Sequence, residues 1–414
     1  MSTRTLDIDL VDNDRYVDSV PYADFDRLRR DDPVHWHPEV HGPGFWAVTR
    51  YDDVVAVSRD TRTFSSETGA SALADLAPDE LVARKSMIDV DPPRHTRLRR
   101  LLAGEFTRHQ VRGQQARVTA LVAPILDSVL ERGEFDWVSH VATAVPIRAL
   151  CQIVGVPAED EQLMISLGDQ MIANTDADLS AVQPDSPESD PYRLLPFRSP
   201  AARQMHAYAR ELRTARQDRP AADLATALAT AATDGSPLSE SEFEAMFLLL
   251  IVAGNETTRS ALSLGIQAFI EHPDQWDRLL QGADLDLAVE EVLRWTTPLH
   301  HFRRTATRPV ELRGTPIERG DKVLVWYTSA NRDELVFADP YAFDVTRDPN
   351  PQIAFGRGGP HRCLGEHLAR LEIRTVLTQL VERGVRLDQT GPARRIRSNF
   401  TNGLKSLPVT VAAR

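Results

Sequence analysis

The sequence predicts a mainly α protein with a small β portion, and three observations carry that expectation. Ser239-Glu240-Ser241-Glu242 has the form of a capping box, and an apolar stretch follows it to about Ile270, just before Pro273. From Pro92 to about Leu299 the hydrophobic spacing is mainly helical. β-Branched and aromatic runs set among Gly and Pro are confined to about 30–70, 302–346 and 385–414.

Each element can be justified in order. FWAVTR and YDDVVAVS, within the first seventy residues, read as short strands. The stretch opened by Ser239 spans roughly thirty residues, which at 1.5 Å each make a helix of about 45 Å that crosses the molecule. It is apolar nearly all round from Phe247 to Ala253 and should be buried. RPVELRGTPIERGDKVLVWYT returns to strands and turns. A Gly-rich loop then precedes a last helix over 364–381, with Leu364, Leu368 and Leu371 on one face and Gly384 near its end. RSNFTNGLKSLPVTV reads as a hairpin. The stretch 176–199, between helical patterns, reads as a long surface loop, a kind that is usually functional or disordered. No linker divides the chain, so 1–414 is expected to be one domain.

Composition excludes several classes. The 414 residues carry 60 acidic and 48 basic side chains, a formal charge of −12, so nucleic acid is an unsuitable partner. The longest apolar run, Ala245 to Gly254, is about half of the ~20 residues that span a bilayer, and the first residues are polar. A cytoplasmic protein without a membrane anchor is expected. There are two cysteines, Cys151 and Cys363, too few for a cysteine-ligated iron–sulfur cluster.

Residues 354–365 read AFGRGGPHRCLG. Glycines at 356, 358 and 359 let the backbone turn tightly against a flat ligand. Cys363 stands at the start of the last helix, where backbone N–H groups and the helix dipole favour a thiolate. The plainer reading is a buried cysteine in a turn, which is the reading adopted for Cys151 in IRALCQIVGV.

The loop resembles the haem-binding signature of the cytochrome P450 family. Gly359, Cys363 and Gly365 match at the family's offsets, while Phe355 stands one residue too far upstream, a one-residue insertion. The resemblance implies the P450 fold, a triangular prism with a long central helix over haem b (iron protoporphyrin IX), and Cys363 as the metal ligand. Three further elements follow in family order. Ala253-Gly254-Asn255-Glu256-Thr257 resembles the oxygen-activation motif, in which Glu256 and Thr257 would be catalytic and Ala253 would lie against the cofactor. Its alternative is a threonine back-bonded to its own helix and a glutamate reaching for solvent. Glu291 and Arg294, on one helix face, resemble the family's Glu-x-x-Arg element, with Asn350-Pro351 at the distance of its structural loop, and are assigned to the scaffold. His95, Arg99, Arg304 and His361 resemble its clamp on the haem propionates, with Arg304 chosen over its neighbour Arg303.

The implied activity is a monooxygenase that inserts one atom of O2 into a C–H bond, with electrons from a ferredoxin and an NAD(P)H-dependent ferredoxin reductase. Arg94, Arg97, Arg100, Arg357, Arg362 and Arg370 could form a basic docking face beside the cysteine. By family position the substrate pocket comprises Ile88, Leu249, Val252, Ala253, His300, Phe302, Phe400 and Thr401, an apolar lining suited to a steroid-, terpenoid- or lipid-like molecule. The alternatives are tailoring of a polyketide, a peptide or a carrier-bound amino acid, a haem sensor or carrier, and a peroxide-driven enzyme.

Overall fold

Ser239 opens the longest helix through a reciprocal cap. Its hydroxyl accepts the Glu242 N–H at 3.2 Å, and the Glu242 carboxylate accepts the Ser239 N–H at 3.1 Å. In this computed structural model, which describes residues 8–412 apart from 41, 72, 231, 234 and 235, the helix runs Glu240–Glu271. Its 32 residues give about 48 Å. The N-terminal half packs in an apolar cluster with Leu150, Met164, Met171 and Met205. The C-terminal half packs in a second cluster with Trp137, Val289, Val376 and Leu380. At Gly265 a Cβ would lie 2.8 Å from a Val292 methyl, so the missing side chain is what lets helix Leu285–Thr296 approach.

A five-stranded sheet flanks the helices, in the order Val34–His37, Phe45–Val48, Lys322–Trp326, His301–Ala306, Phe64–Ser65. Only the pair Phe45–Val48 and Lys322–Trp326 is parallel, with Phe45 opposite Lys322. Lys322–Trp326 is buried at every position, as a strand covered on both faces must be. Its lysine pairs with Glu39 and, at 3.2 Å, with Asp75.

Two expectations are corrected. YDDVVAVS is the helix Tyr51–Arg59, not a strand. Tyr51, Val54, Val55, Val57 and Ser58 are buried while Asp52, Ala56 and Arg59 are exposed, a helical period that outweighs the β-branched content. RSNFTNGLKSLPVTV does not fold on itself. Leu404–Ser406 pairs with Arg394–Arg395, whereas Pro408–Val411 pairs with Leu387–Gln389 and Glu134–Asp136. The stretch 396–403 between them is a loop that bears Phe400 and Thr401.

The stretch 176–199 does connect helices Glu161–Ile172 and Pro200–Asp218, but it contains two 3-10 turns, Pro187–Tyr192 and Pro196–Arg198. It is stitched down along both flanks. On one side Arg193 pairs with Asp79 at 2.6 Å and Arg198 with Glu80 at 3.5 Å, both on helix Pro78–Ala83. On the other, Lys405 pairs with Asp176 at 2.9 Å and Asp178 at 2.7 Å, and Arg394 also pairs with Asp178. Among the described residues no helix is long and apolar enough to cross a membrane.

Candidate active site

The cysteine loop is pressed against the end of helix Tyr51–Arg59. Gly356 and Gly358 take φ of +72° and +81°, and a Cβ on Gly359 would lie 2.0 Å from the Ser58 carbonyl oxygen. The Cys363 N–H donates to the Phe355 carbonyl at 2.9 Å, and the Gly365 N–H donates to the Cys363 sulfur. The Phe355 ring lies beneath Arg370, whose guanidinium carbon stands 4.6 Å from the ring centroid. The inserted residue thus leaves the Phe355 backbone on the cysteine while the ring packs under Arg370. The last helix, Glu366–Glu382, starts after Cys363 with Gly365 as its N-cap. The Gly365 N–H at that helix end acts in favour of the thiolate, against the burial of the sulfur. Burial pushes the thiol up to about 11, and the Gly365 N–H, Arg99 and Arg370 only partly offset this. Coordination to a metal deprotonates such a thiol outright.

Four cationic or imidazole side chains converge beside this loop. The His95 and His361 rings pack at 4.2 Å between centroids. Burial, with Arg304, His95 and Arg99 adding to it, pushes His361 down to about 2, and His95 falls to about 4 for the same reason. Arg304 is buried and gives one bond to the Arg303 carbonyl at 2.7 Å, but its Nε has no hydrogen-bond partner among the described residues, nor has Nδ1 of His95. Arg303 points elsewhere, to Asp75 at 3.0 Å and to the Leu73 and Ala74 carbonyls. Buried donors without acceptors are costly, and a dianionic flat ligand would satisfy them. The donor set therefore fits a haem with its two propionates.

Midway along the long helix, burial fails on one stripe. Leu249 and Thr257 are half-buried and Ala253 is exposed, at i, i+4 and i+8, while Ile251, Val252, Asn255 and Glu256 are buried. The expectation of all-round burial from Phe247 to Ala253 is corrected: this face is left uncovered by protein. Thr257 donates to the Ala253 carbonyl at 2.8 Å, which is the back-bonded form. Glu256 does not reach for solvent. It has no exposed surface, and it accepts from Arg259 at 2.7 Å, while Arg259 also binds Asp169 at 2.6 Å. Burial, with Asp169 adding to it and Arg259 opposing, pushes Glu256 up to about 8.

Of the expected pocket, Leu249, Val252 and Phe400 share one apolar cluster, and Phe302 meets Phe400 edge-on at 5.7 Å. Ile88 is half-buried in the turn Met87–Asp89. His300 and Thr401 are both packed in the interior. His300 is fully buried, with Nδ1 bonded to Thr328 Oγ1 at 2.7 Å and its ring 4.9 Å from Tyr16. Thr401, 1% exposed, bridges to the Leu299 backbone. Sequence reasoning missed Asp169 and Arg259. Arg259 stands one turn beyond Glu256 and was readable as its partner; Asp169 lies ninety residues away and carried no signal.

Glu291 and Arg294 pair as expected, through two bonds of 2.7 Å with both side chains fully buried. Arg347 and Asn350 add contacts to Glu291 at 3.2 and 3.0 Å.

Comparison with known proteins agrees with this arrangement. The chain is 36% identical over 411 residues, 97% of its length and 84% of the relative's, to a steroid C26-monooxygenase of Rhodococcus jostii. The chain belongs to the cytochrome P450 family. The family's profile, described as Cytochrome P450, matches residues 285–392. This P450 is also 37% identical over 404 residues to a methyl-branched lipid omega-hydroxylase of Mycobacterium bovis, covering 95% of this chain and 91% of that one. Its fold superposes on a P450 of Mycobacterium marinum solved with pseudoionone, with a TM-score of 0.85, 37% identity and 94% of each chain covered. It is a haem enzyme of the monooxygenase class.

Proposed function

We propose that this P450 hydroxylates a small lipophilic molecule of the steroid, terpenoid or branched-lipid kind, with Cys363 as the thiolate ligand of the haem iron. The observation that carries the reading is the cysteine loop beside a cluster of buried, unsatisfied donors. His95, Arg99, Arg304 and His361 would hold the propionates, Ala253 would lie against the macrocycle, and Gly359 and Gly365 would shape the loop. When bound, the haem supplies dioxygen activation, one atom going to the C–H bond and the other to water at the expense of two electrons and two protons.

The chain's own residues supply position and protons. Leu249, Val252, Phe302 and Phe400, with Ile88, present an apolar wall that orients a hydrophobic substrate and excludes water. Glu256, held close to neutral pH by its burial, would give and take protons at its carboxyl oxygens. The Thr257 hydroxyl, now donating to the Ala253 carbonyl, would release it to hold a water beside the haem. The names of the relatives support the substrate class.

Electrons would come from a ferredoxin and its reductase in the cytoplasm, to the 1–414 chain working as one unit. Several arginines of the expected docking face are engaged by neighbouring groups. Arg94 meets Glu242 at 3.3 Å, Arg362 and Arg370 both meet Glu366, and Arg357 donates to Tyr51 and Pro351. Arg97 and Arg100, with Arg62, line a cleft of about 820 Å³, where an acidic partner would be steered.

The test is a visible-spectrum titration with steroids, terpenoids, fatty acids and aromatic polyketides. A saturable low-spin to high-spin change with one lipophilic class is expected; no change with any of them overturns the substrate reading. A Cys363→Ser protein that kept a thiolate spectrum would overturn the ligand assignment.

A further inference from the structure

Glu256 is sealed from water, so a proton that leaves it must be replaced through another group. The long helix offers Arg259, which carries a fixed charge and cannot relay a proton. Helix Glu161–Ile172 offers Asp169. It shares Arg259 with Glu256, at 2.6 Å to Asp169 and 2.7 Å to Glu256, and its carboxyl can accept a hydrogen bond from protonated Glu256. One Glu256 oxygen, Oε1, has no hydrogen-bond partner among the described residues. The two carboxyl groups differ in one decisive respect: the Asp169 side chain is 21% exposed and that of Glu256 is 0%.

Among the described residues, only Arg259 and Asp169 act on Glu256, and only Glu256 and Asp169 on Arg259. On helix Ala144–Val154, Cys151 responds to Glu161 and Asp160, and Arg148 pairs with Glu161 at 3.3 Å. On helix Pro200–Asp218, His206 and Arg210 face Glu244 at 3.5 and 2.6 Å. From the last helix, Glu372 bonds to Thr258.

We propose that Asp169 is the solvent-side carboxyl of a two-carboxyl proton relay, taking a proton from water and passing it to Glu256 across the fixed charge of Arg259. This rests on the reading of Glu256 as the proton carrier. The step moves one proton and no electrons: water protonates the Asp169 carboxylate, the proton crosses to the Glu256 carboxylate, and Asp169 returns to its ionised form. Arg259 neutralises one negative charge throughout, so the pair is never buried as a bare dianion. Two carboxyl groups sharing a site raise the proton affinity of one of them, here the sealed one.

The experiment uses the haem-loaded protein and reads the carboxyl stretching band in the infrared as pH is varied, together with product formed per oxygen consumed. Glu256→Gln identifies the band by its loss. In Asp169→Asn the band should titrate at lower pH by about one unit, because a neighbouring negative charge is gone. Product per oxygen should fall severalfold and the solvent deuterium effect should rise. In Arg259→Gln the band should move the opposite way, to higher pH. Asp169→Glu should restore coupling, which a purely structural role would not predict. An unmoved band in Asp169→Asn, or a shift in the same direction in both variants, overturns the relay. Full coupling in Glu256→Gln would instead overturn the underlying reading of Glu256.

Discussion

Arg294→Leu should unfold this protein. The guanidinium has no exposed surface and makes five hydrogen bonds. Two go to Glu291 at 2.7 Å, and three go to the carbonyls of Asn331 at 3.0 Å, Pro340 at 2.8 Å and Ala342 at 3.0 Å. Leucine leaves the buried Asn331 carbonyl and the half-buried Pro340 carbonyl without donors, at up to about 1–3 kcal/mol each, while the Ala342 carbonyl keeps Arg347 at 3.0 Å. Removing one member of a buried ion pair costs about 3–5 kcal/mol. Glu291 keeps Arg347, Asn350 and the Asp344 N–H, which lowers its share. The contributions overlap and do not simply add, but a loss above about 5 kcal/mol consumes most of a total of about 5–15 kcal/mol. Arg294→Lys keeps the charge and loses the planar fork, so it should fall between the two. The assay is the denaturant midpoint by far-ultraviolet circular dichroism, at fixed protein and haem concentration, with soluble yield as a second reading. An Arg294→Leu protein within about 1 kcal/mol of wild type would refute the reasoning, because it would mean that the lost acceptors find water at no cost.

Other outcomes follow from the same geometry. Gly359→Ala puts a methyl 2.0 Å from the Ser58 carbonyl oxygen, with backbone on both sides, and should lower haem content; full occupancy with an unshifted ferrous carbon monoxide band would contradict this. Arg304→Ala should speed transfer of haem to a scavenger protein, whereas Arg303→Ala, which breaks the Asp75 contact instead, should lower stability without that effect. Glu372 is buried, and desolvation pushes it up from 4.5 to about 8, so the folded protein binds this proton more tightly than the unfolded chain. Its stabilising effect is complete below the unfolded value and is lost as pH rises through the folded one. Glu372→Gln should therefore gain on wild type by more than about 1 kcal/mol between pH ~5 and pH ~8, measured by denaturant unfolding; parallel curves at the two pH values would exclude it.

The long helix and the last helix were legible because each carries its own stop and start signals, Ser239 with Glu242 for one and the Gly-rich loop for the other. Tyr51–Arg59 was misread because valine-rich composition was weighed above spacing. Local pattern names an element's type only when the two agree. Cys363, Glu256 and Thr257 stood out as chemistry-bearing residues in apolar or Gly-rich settings, and His95 with Arg99 as neighbours on one turn. Arg304 could be preferred to Arg303 only because adjacent strand residues point to opposite faces, and the structure sends Arg303 to Asp75. His300 and Thr401 were assigned to the pocket by family position alone, and their deep burial depends on packing that no local pattern announces. Asp169 was invisible because its meaning depends on a partner brought to it by folding alone.

The two-sided stitching of 176–199 has a kinetic consequence. Asp178 and Arg394 are 51% and 61% exposed, and Arg193 and Asp79 46% and 51%, so these two fastenings contribute only about 0–1 kcal/mol each, whereas Lys405–Asp176 is sheltered. Such contacts weaken as salt shortens the Debye length below about 8 Å. How readily this segment loosens is thus graded by several surface grips around one sheltered contact. Single substitutions at the exposed pairs can retune it without touching the apolar wall formed by Leu249, Val252, Phe302 and Phe400.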